Sequence, residues 1–118
     1  MSKKNFRVIV GAFFVVLLGS VALAHPPSGI IASFDPETYL LEIRIPHSVA
    51  NAKGDHYVSE IRVYRNGTEI ITQYVQSQFS PQEQRVQYLI IDAAKGDTLT
   101  VYARCSKFGE KKVDLTIE

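Results

Sequence analysis

A chain of 118 residues has room for one domain, and 13 Lys/Arg against 12 Asp/Glu give no charge excess of the kind that grips nucleic acid. Cys105 is the one cysteine, which excludes an intrachain disulfide. In an exported protein an odd cysteine calls for another use: an intermolecular bridge, a reactive thiol or a metal ligand.

The first element is unlike the rest. Lys3, Lys4 and Arg7 form a positive start, Val8 to Leu18 is an apolar run broken only by Gly11, and Ala22-Leu23-Ala24 closes the segment. Small side chains at the positions of Ala22 and Ala24 are what signal peptidase requires. The apolar run is shorter than the roughly 20 residues that span a bilayer. Residues 1–24 are therefore expected to be a secretory signal peptide, with the working domain, 25–118, beginning at His25 in the periplasm or outside the cell. The alternative is an uncleaved N-terminal anchor. Removal of 1–24 leaves ten Lys/Arg against twelve Asp/Glu, a net charge of −2, so no basic patch and no stable membrane span remain.

From His25 on, the pattern is that of strands. Ile30 to Phe34 is a short apolar segment, and Asp35-Pro36-Glu37-Thr38 is a turn in which proline presets φ. Tyr39 to Ile45 alternates, with Leu41, Ile43 and Ile45 on one face and Glu42 and Arg44 on the other. Residues 47–55 are a polar loop. Tyr57 to Arg65 and Thr68 to Val75 flank Asn66-Gly67, a strong signal for a hairpin whose turn needs positive φ at both centres. After a polar connection rich in glutamine come Arg85 to Ile91, a turn over 94–97, Thr98 to Arg104, a glycine-containing loop, and Val113 to Ile117. Seven short strands with turns between them predict an all-β fold, an immunoglobulin-like β-sandwich. The Cys…Trp…Cys pattern of antibody domains is absent.

No nucleophile elbow, phosphate loop or dinucleotide fingerprint occurs. The residues with chemistry to offer are His25, His47, His56 and Cys105, which are every histidine and every cysteine of the chain. Each falls where a loop meets a strand. Strand ends in a sandwich gather at two poles, and loop-borne functional residues gather there too. Cys105 shares the parity of Leu99, Val101 and Ala103, so it continues an inward row. Three imidazoles and a thiolate form a donor set for iron, copper or zinc. The same residues also fit a bland reading, in which the cysteine is a small buried hydrophobe and the histidines are incidental.

These residues resemble the iron-binding domain of the desulfoferrodoxin and superoxide reductase family. His56-Tyr57-Val58-Ser59-Glu60-Ile61 is similar to that family's ligand segment His-Tyr-Ile-x-x-Ile. Ala103-Arg104-Cys105-Ser106-Lys107-Phe108-Gly109 is similar to its Ala-x-Cys-x-x-His-Gly, and His25-Pro26-Pro27 to its N-terminal His-x-Pro. The resemblance implies an immunoglobulin-like sandwich whose mononuclear iron, ligated by His25, His47, His56 and an axial Cys105, reduces superoxide to peroxide with electrons from an unidentified donor. Three departures stand out. The loop from His47 to His56 is longer than in the reductases, Ser48 replaces a proline, and Phe108 replaces the last histidine, so four histidines cannot surround iron within one chain.

Three functions stay open at this level. The first is an exported mononuclear iron protein that reduces superoxide. The second is a copper carrier, because a histidine at a mature N-terminus offers its α-amine and its imidazole to one ion. The third is a metal-free structural module whose strand tyrosines serve as an interface, and a homo-oligomer would suit any of the three.

Overall fold

The structure is a computed structural model that describes residues 25–118, so the segment expected to be a signal peptide lies outside the described residues. Seven strands run in chain order: β1 (Ile31–Asp35), β2 (Leu40–Pro46), β3 (Val58–Arg65), β4 (Thr68–Tyr74), β5 (Glu83–Leu89), β6 (Thr98–Cys105) and β7 (Glu110–Thr116). They form two antiparallel sheets, ordered β1-β2-β5 and β4-β3-β6-β7. The all-β fold and the seven strands agree with the sequence reading. Strand ends differ where pairing overrides pattern. β5 begins two residues early because Glu83 pairs with Pro46, and β7 begins at Glu110 because Glu110 pairs with Arg104.

The alternation read from the sequence forms the core. Leu41, Ile43 and Ile45 of β2 pack with Ile61 and Val63 of β3 and with Leu99, Val101 and Ala103 of β6. All eight are at most 1% exposed, so the two central strands of one sheet and the middle strand of the other supply the driving force for folding. Ala32, Phe34, Ile71, Val86, Tyr88, Val113 and Leu115 close the core from the outer strands.

One irregularity shapes the pole of the sandwich where His56 and Cys105 lie. A bulge between Val58 and Glu60 shifts the register of β3 against β6, so Val58 lies opposite Cys105 while Glu60 lies opposite Arg104. Ile61 and Val63 face the core at odd positions. Without the bulge, Ser59 and Tyr57 would follow them inward. With it Val58 turns inward and is fully buried, and His56, two residues earlier, approaches the same pole. An extra residue in one strand re-aims every side chain before it, because side-chain direction has a period of two.

The opposite pole is held by a polar knot. Asn66 and Gly67 adopt φ of 50° and 86°, the positive pair that the hairpin turn requires. Asn66 Nδ2 donates to Asp97 Oδ1 at 3.0 Å, Arg65 Nε donates to Asp97 Oδ2 at 2.8 Å, and the Ala94 amide donates to the same oxygen at 2.9 Å. Asn66 Oδ1 accepts from the Thr98 amide at 2.9 Å, which ties the hairpin to the start of β6. The Asn66 amide, then Arg65 and the Ala94 N–H, hold the Asp97 carboxyl down at about 2. A carboxyl lowered by folding stabilises the fold above the usual carboxylate range and stops doing so as pH falls through its folded value. Asp97→Ala is therefore expected to lower the melting temperature at pH 7, with the two proteins converging as pH drops from about 4 toward 2. Thermal melts across that range test this, and a constant gap between the two proteins would contradict it.

Candidate metal centre

The strand directions place all four chemistry-bearing residues at one pole. His47 directly follows the end of β2, His56 lies two residues before β3, and Cys105 is the last residue of β6. The segment before β1 folds back onto this pole, where the Ser28 amide donates to the Pro46 carbonyl at 2.9 Å. Gly109 makes a second tether. It has φ of 84°, and a Cβ there would come within 2.5 Å of Pro26 Cβ, so the loop after Cys105 packs directly on the residue next to His25.

Three imidazoles converge. The ring centroids are 4.8 Å apart for His25 and His47, 5.1 Å for His25 and His56, and 4.8 Å for His47 and His56. One ligand nitrogen from each lies within 4.8 Å of the others. The Cys105 sulfur is at the same pole and 1% exposed, but it is not among those mutually close donors. It accepts the Lys107 amide N–H at 3.3 Å.

Each ring is placed by contacts that do not use the imidazoles alone. His56 is located by Ser106, whose hydroxyl donates to the Asp55 carbonyl at 2.8 Å and accepts from the Tyr57 amide at 3.1 Å. The Ser106 amide also donates to the Tyr57 carbonyl at 2.8 Å, so residues on both sides of His56 are fixed to the turn after Cys105. His47 is fully inside and held by Gln78, which is 4% exposed. Gln78 Nε2 donates to the carbonyls of His47 and Ser80, at 2.7 and 2.9 Å, which sets the direction of the amide. Its Oε1 then accepts the Val58 amide N–H at 3.1 Å and His47 Nδ1–H at 2.9 Å. With the proton held on Nδ1, the free electron pair of a neutral His47 is on Nε2, which faces the cluster.

The polar environment is overfilled with acceptors. His47 Nε2 sits 3.2 Å from the His25 carbonyl oxygen. His25 Nδ1 and Nε2 face the carbonyls of Pro26 and Ser48, at 3.0 and 2.9 Å. A neutral imidazole has one N–H, so neither ring can satisfy two carbonyl-type acceptors unless it is charged. Three charged imidazoles at this spacing would repel. Burial, and then the neighbouring His47 and His25, push the His56 pKa below its usual value. His56 Nε2 is buried without a hydrogen-bond partner. An orphaned buried nitrogen costs on the order of 1–3 kcal/mol. A cation bonded by the three electron pairs would satisfy His56 and relieve the crowding of lone pairs. Metal–nitrogen bonds of about 2.0–2.1 Å require donors about 3–3.5 Å apart, so small ring rotations would bring these nitrogens to a common ion. The donor chemistry therefore fits a metal, and the set is nitrogen-rich with no carboxylate among it.

Sequence reading singled out all three histidines, and the structure brings them together. It offered no account of the glutamines. Gln78 is the group that orients His47. Gln84, also 4% exposed, donates to the carbonyls of Val58 and Ser77, at 3.0 and 2.9 Å, and accepts the Phe79 amide at 2.9 Å. Gln84 faces inward with Val86 and Tyr88, a parity visible in the sequence once β5 is extended to Glu83. Gln78 lies in an irregular segment where no period could reveal it. Phe108 is 62% exposed and supplies no donor.

No family model matches the chain, and no curated protein matches it. Among solved structures, a superoxide reductase from Nanoarchaeum equitans is similar to it, with a TM-score of 0.49, 17% identity, and coverage of 79% of this chain and 94% of that chain. That degree of likeness assigns neither an activity nor a ligand to this protein.

Gln78→Ala would leave the His47 ring, the His47 and Ser80 carbonyls and the Val58 amide short of their partner. It is expected to cost about 2–4 kcal/mol in unfolding free energy. Losing the group that orients a ligand is also expected to weaken metal binding by about 10–100-fold. Urea titration and zinc competition check the two effects. Unchanged metal affinity in a folded variant would contradict the positioning role.

Proposed function

We propose that residues 25–118 are an exported mononuclear iron-binding domain that reduces superoxide, with His25, His47 and His56 as the nitrogen ligands and Cys105 as a sulfur ligand. The observation that carries the metal reading is the convergence of three imidazole donors within 4.8 Å, one of them a buried nitrogen with no other partner. Choice of iron rests on the resemblance of the segments around His56 and Cys105 to the desulfoferrodoxin iron domain, and on a donor set that mixes imidazole with one sulfur.

The residues divide the work as follows. Gln78 keeps the His47 proton on Nδ1 and so leaves Nε2 for the ion. Ser106 fixes the chain on both sides of His56. Cys105 is buried at the same pole, opposite Val58, as the proposed sulfur ligand, and the Lys107 amide N–H directed at its sulfur would stabilise a thiolate there. Bound iron would supply a one-electron couple and a position open to a small oxygen anion. Lys107 Nζ pairs with Asp55 at 3.0 Å beside His56, on an exposed rim where the pair adds little to stability and leaves no net charge.

Metal analysis of the purified protein tests the reading directly. About one equivalent of iron is expected, with a visible thiolate-to-iron absorption in the oxidised form and consumption of superoxide. His47→Ala is expected to lose the metal. Cys105→Ser is expected to lose the absorption band and the superoxide consumption while the three imidazoles still retain a weaker-bound ion. A protein that holds no iron, or a His47→Ala variant that holds it as well as the parent, would overturn the proposal.

A further inference from the structure

We infer that the metal centre is completed by export itself: removal of residues 1–24 frees the α-amine of His25, which joins the three imidazoles as a fourth nitrogen donor. This inference rests on the metal-binding reading above and adds a donor and a condition for its assembly.

The main chain of His25, and not only its ring, lies at the cluster. Its carbonyl oxygen is 3.2 Å from His47 Nε2. The nitrogen of the same residue is three bonds from that oxygen, within about 3.6 Å by covalent geometry. The sequence places Ala22 and Ala24 so that cleavage would fall immediately before His25, and not one residue to either side. Before cleavage, the His25 nitrogen is an amide whose electron pair is delocalised into the peptide bond. After hydrolysis of the Ala24–His25 bond, the nitrogen is an amine with an electron pair to give, and the carboxylate leaves on Ala24. The amine and Nδ1 of one histidine close a six-membered ring with a metal ion, so the fourth donor arrives already tethered to the first.

Two features hold this residue in place for that role. Pro26 and Pro27 follow directly and restrict the backbone, and Pro27 is fully buried. Gly109 packs against Pro26 with no space for a side chain, so the start of the domain is clamped to the loop that follows Cys105. His25 Nδ1 now faces the Pro26 carbonyl at 3.0 Å, a contact that a rotation of the ring exchanges for the ion. The device makes metal loading depend on compartment, because the intact precursor lacks one donor and the chelate ring it closes.

The test uses the full chain, secreted and purified after processing, beside a form with Gly-Ser inserted between Ala24 and His25. Mass spectrometry establishes where each begins, and cobalt(II) is the probe, read by its visible ligand-field bands and by competition with a chelator. The parent is expected to begin at His25. The inserted form is expected to bind cobalt(II) about 100-fold more weakly, as the loss of a directly bound donor should cost at least what loss of a supporting group does. Its ligand-field bands are expected to shift, and its residual binding should vanish with His47→Ala, which shows the three rings still in place. Equal affinity and identical bands in the two forms, or a parent that begins elsewhere than at His25, would overturn the inference and leave the three-histidine site standing. Failure of both forms to bind cobalt(II) would overturn the site as well.

Discussion

Gln78 makes four hydrogen bonds, to the ring and carbonyl of His47, the amide of Val58 and the carbonyl of Ser80, and the functional pole of the sandwich depends on them. His47 directly follows one sheet's central strand and Val58 begins a strand of the other, so one buried side chain fastens the two sheets together where the histidines meet. Burying an amide is costly unless its donors and acceptors are all matched. Here they are, and the match sets both the position of His47 and the nitrogen on which its proton resides. Gln84 repeats the device, bonding the carbonyls of Val58 and Ser77.

That construction leaves the site electrostatically unfinished. Two imidazoles face acceptors at both nitrogens, the third keeps a nitrogen with no partner, and burial resists charging it. Charging the rings together would set positive charges about 5 Å apart in a partly buried space. A single divalent ion would relieve all three at once by accepting electron pairs. The donor set, three imidazoles without a carboxylate, fits a cation that prefers nitrogen over carboxylate oxygen. Cys105 is buried at the same pole, on the strand opposite Val58, and the Lys107–Asp55 pair lies on the exposed rim there.

Much of the fold was legible because alternation at Leu41, Ile43 and Ile45 and at Leu99, Val101 and Ala103 reports directly which face is buried. Asn66-Gly67 marked its turn because few other pairs tolerate positive φ twice. The candidate ligands were legible because the chain has so few residues capable of the role. What the sequence could not reveal is geometry that arises only on pairing. The bulge at Ser59 leaves no mark in the pattern, yet it is what turns Val58, and with it His56, toward His47. Gln78 reads as one polar residue among several in an irregular stretch. Tyr39, with φ of 65°, closes the turn after Pro36 in a conformation that its residue type gave no reason to expect.

X-ray absorption at the zinc edge of the zinc-loaded protein measures the central claim most directly, because it counts the donors and their distances. Convergence of His25, His47 and His56 predicts three imidazole shells with zinc–nitrogen distances of about 2.0–2.1 Å, and Cys105 adds one sulfur at about 2.3 Å. A first shell of oxygen alone, or one with fewer than three imidazoles, would contradict the account.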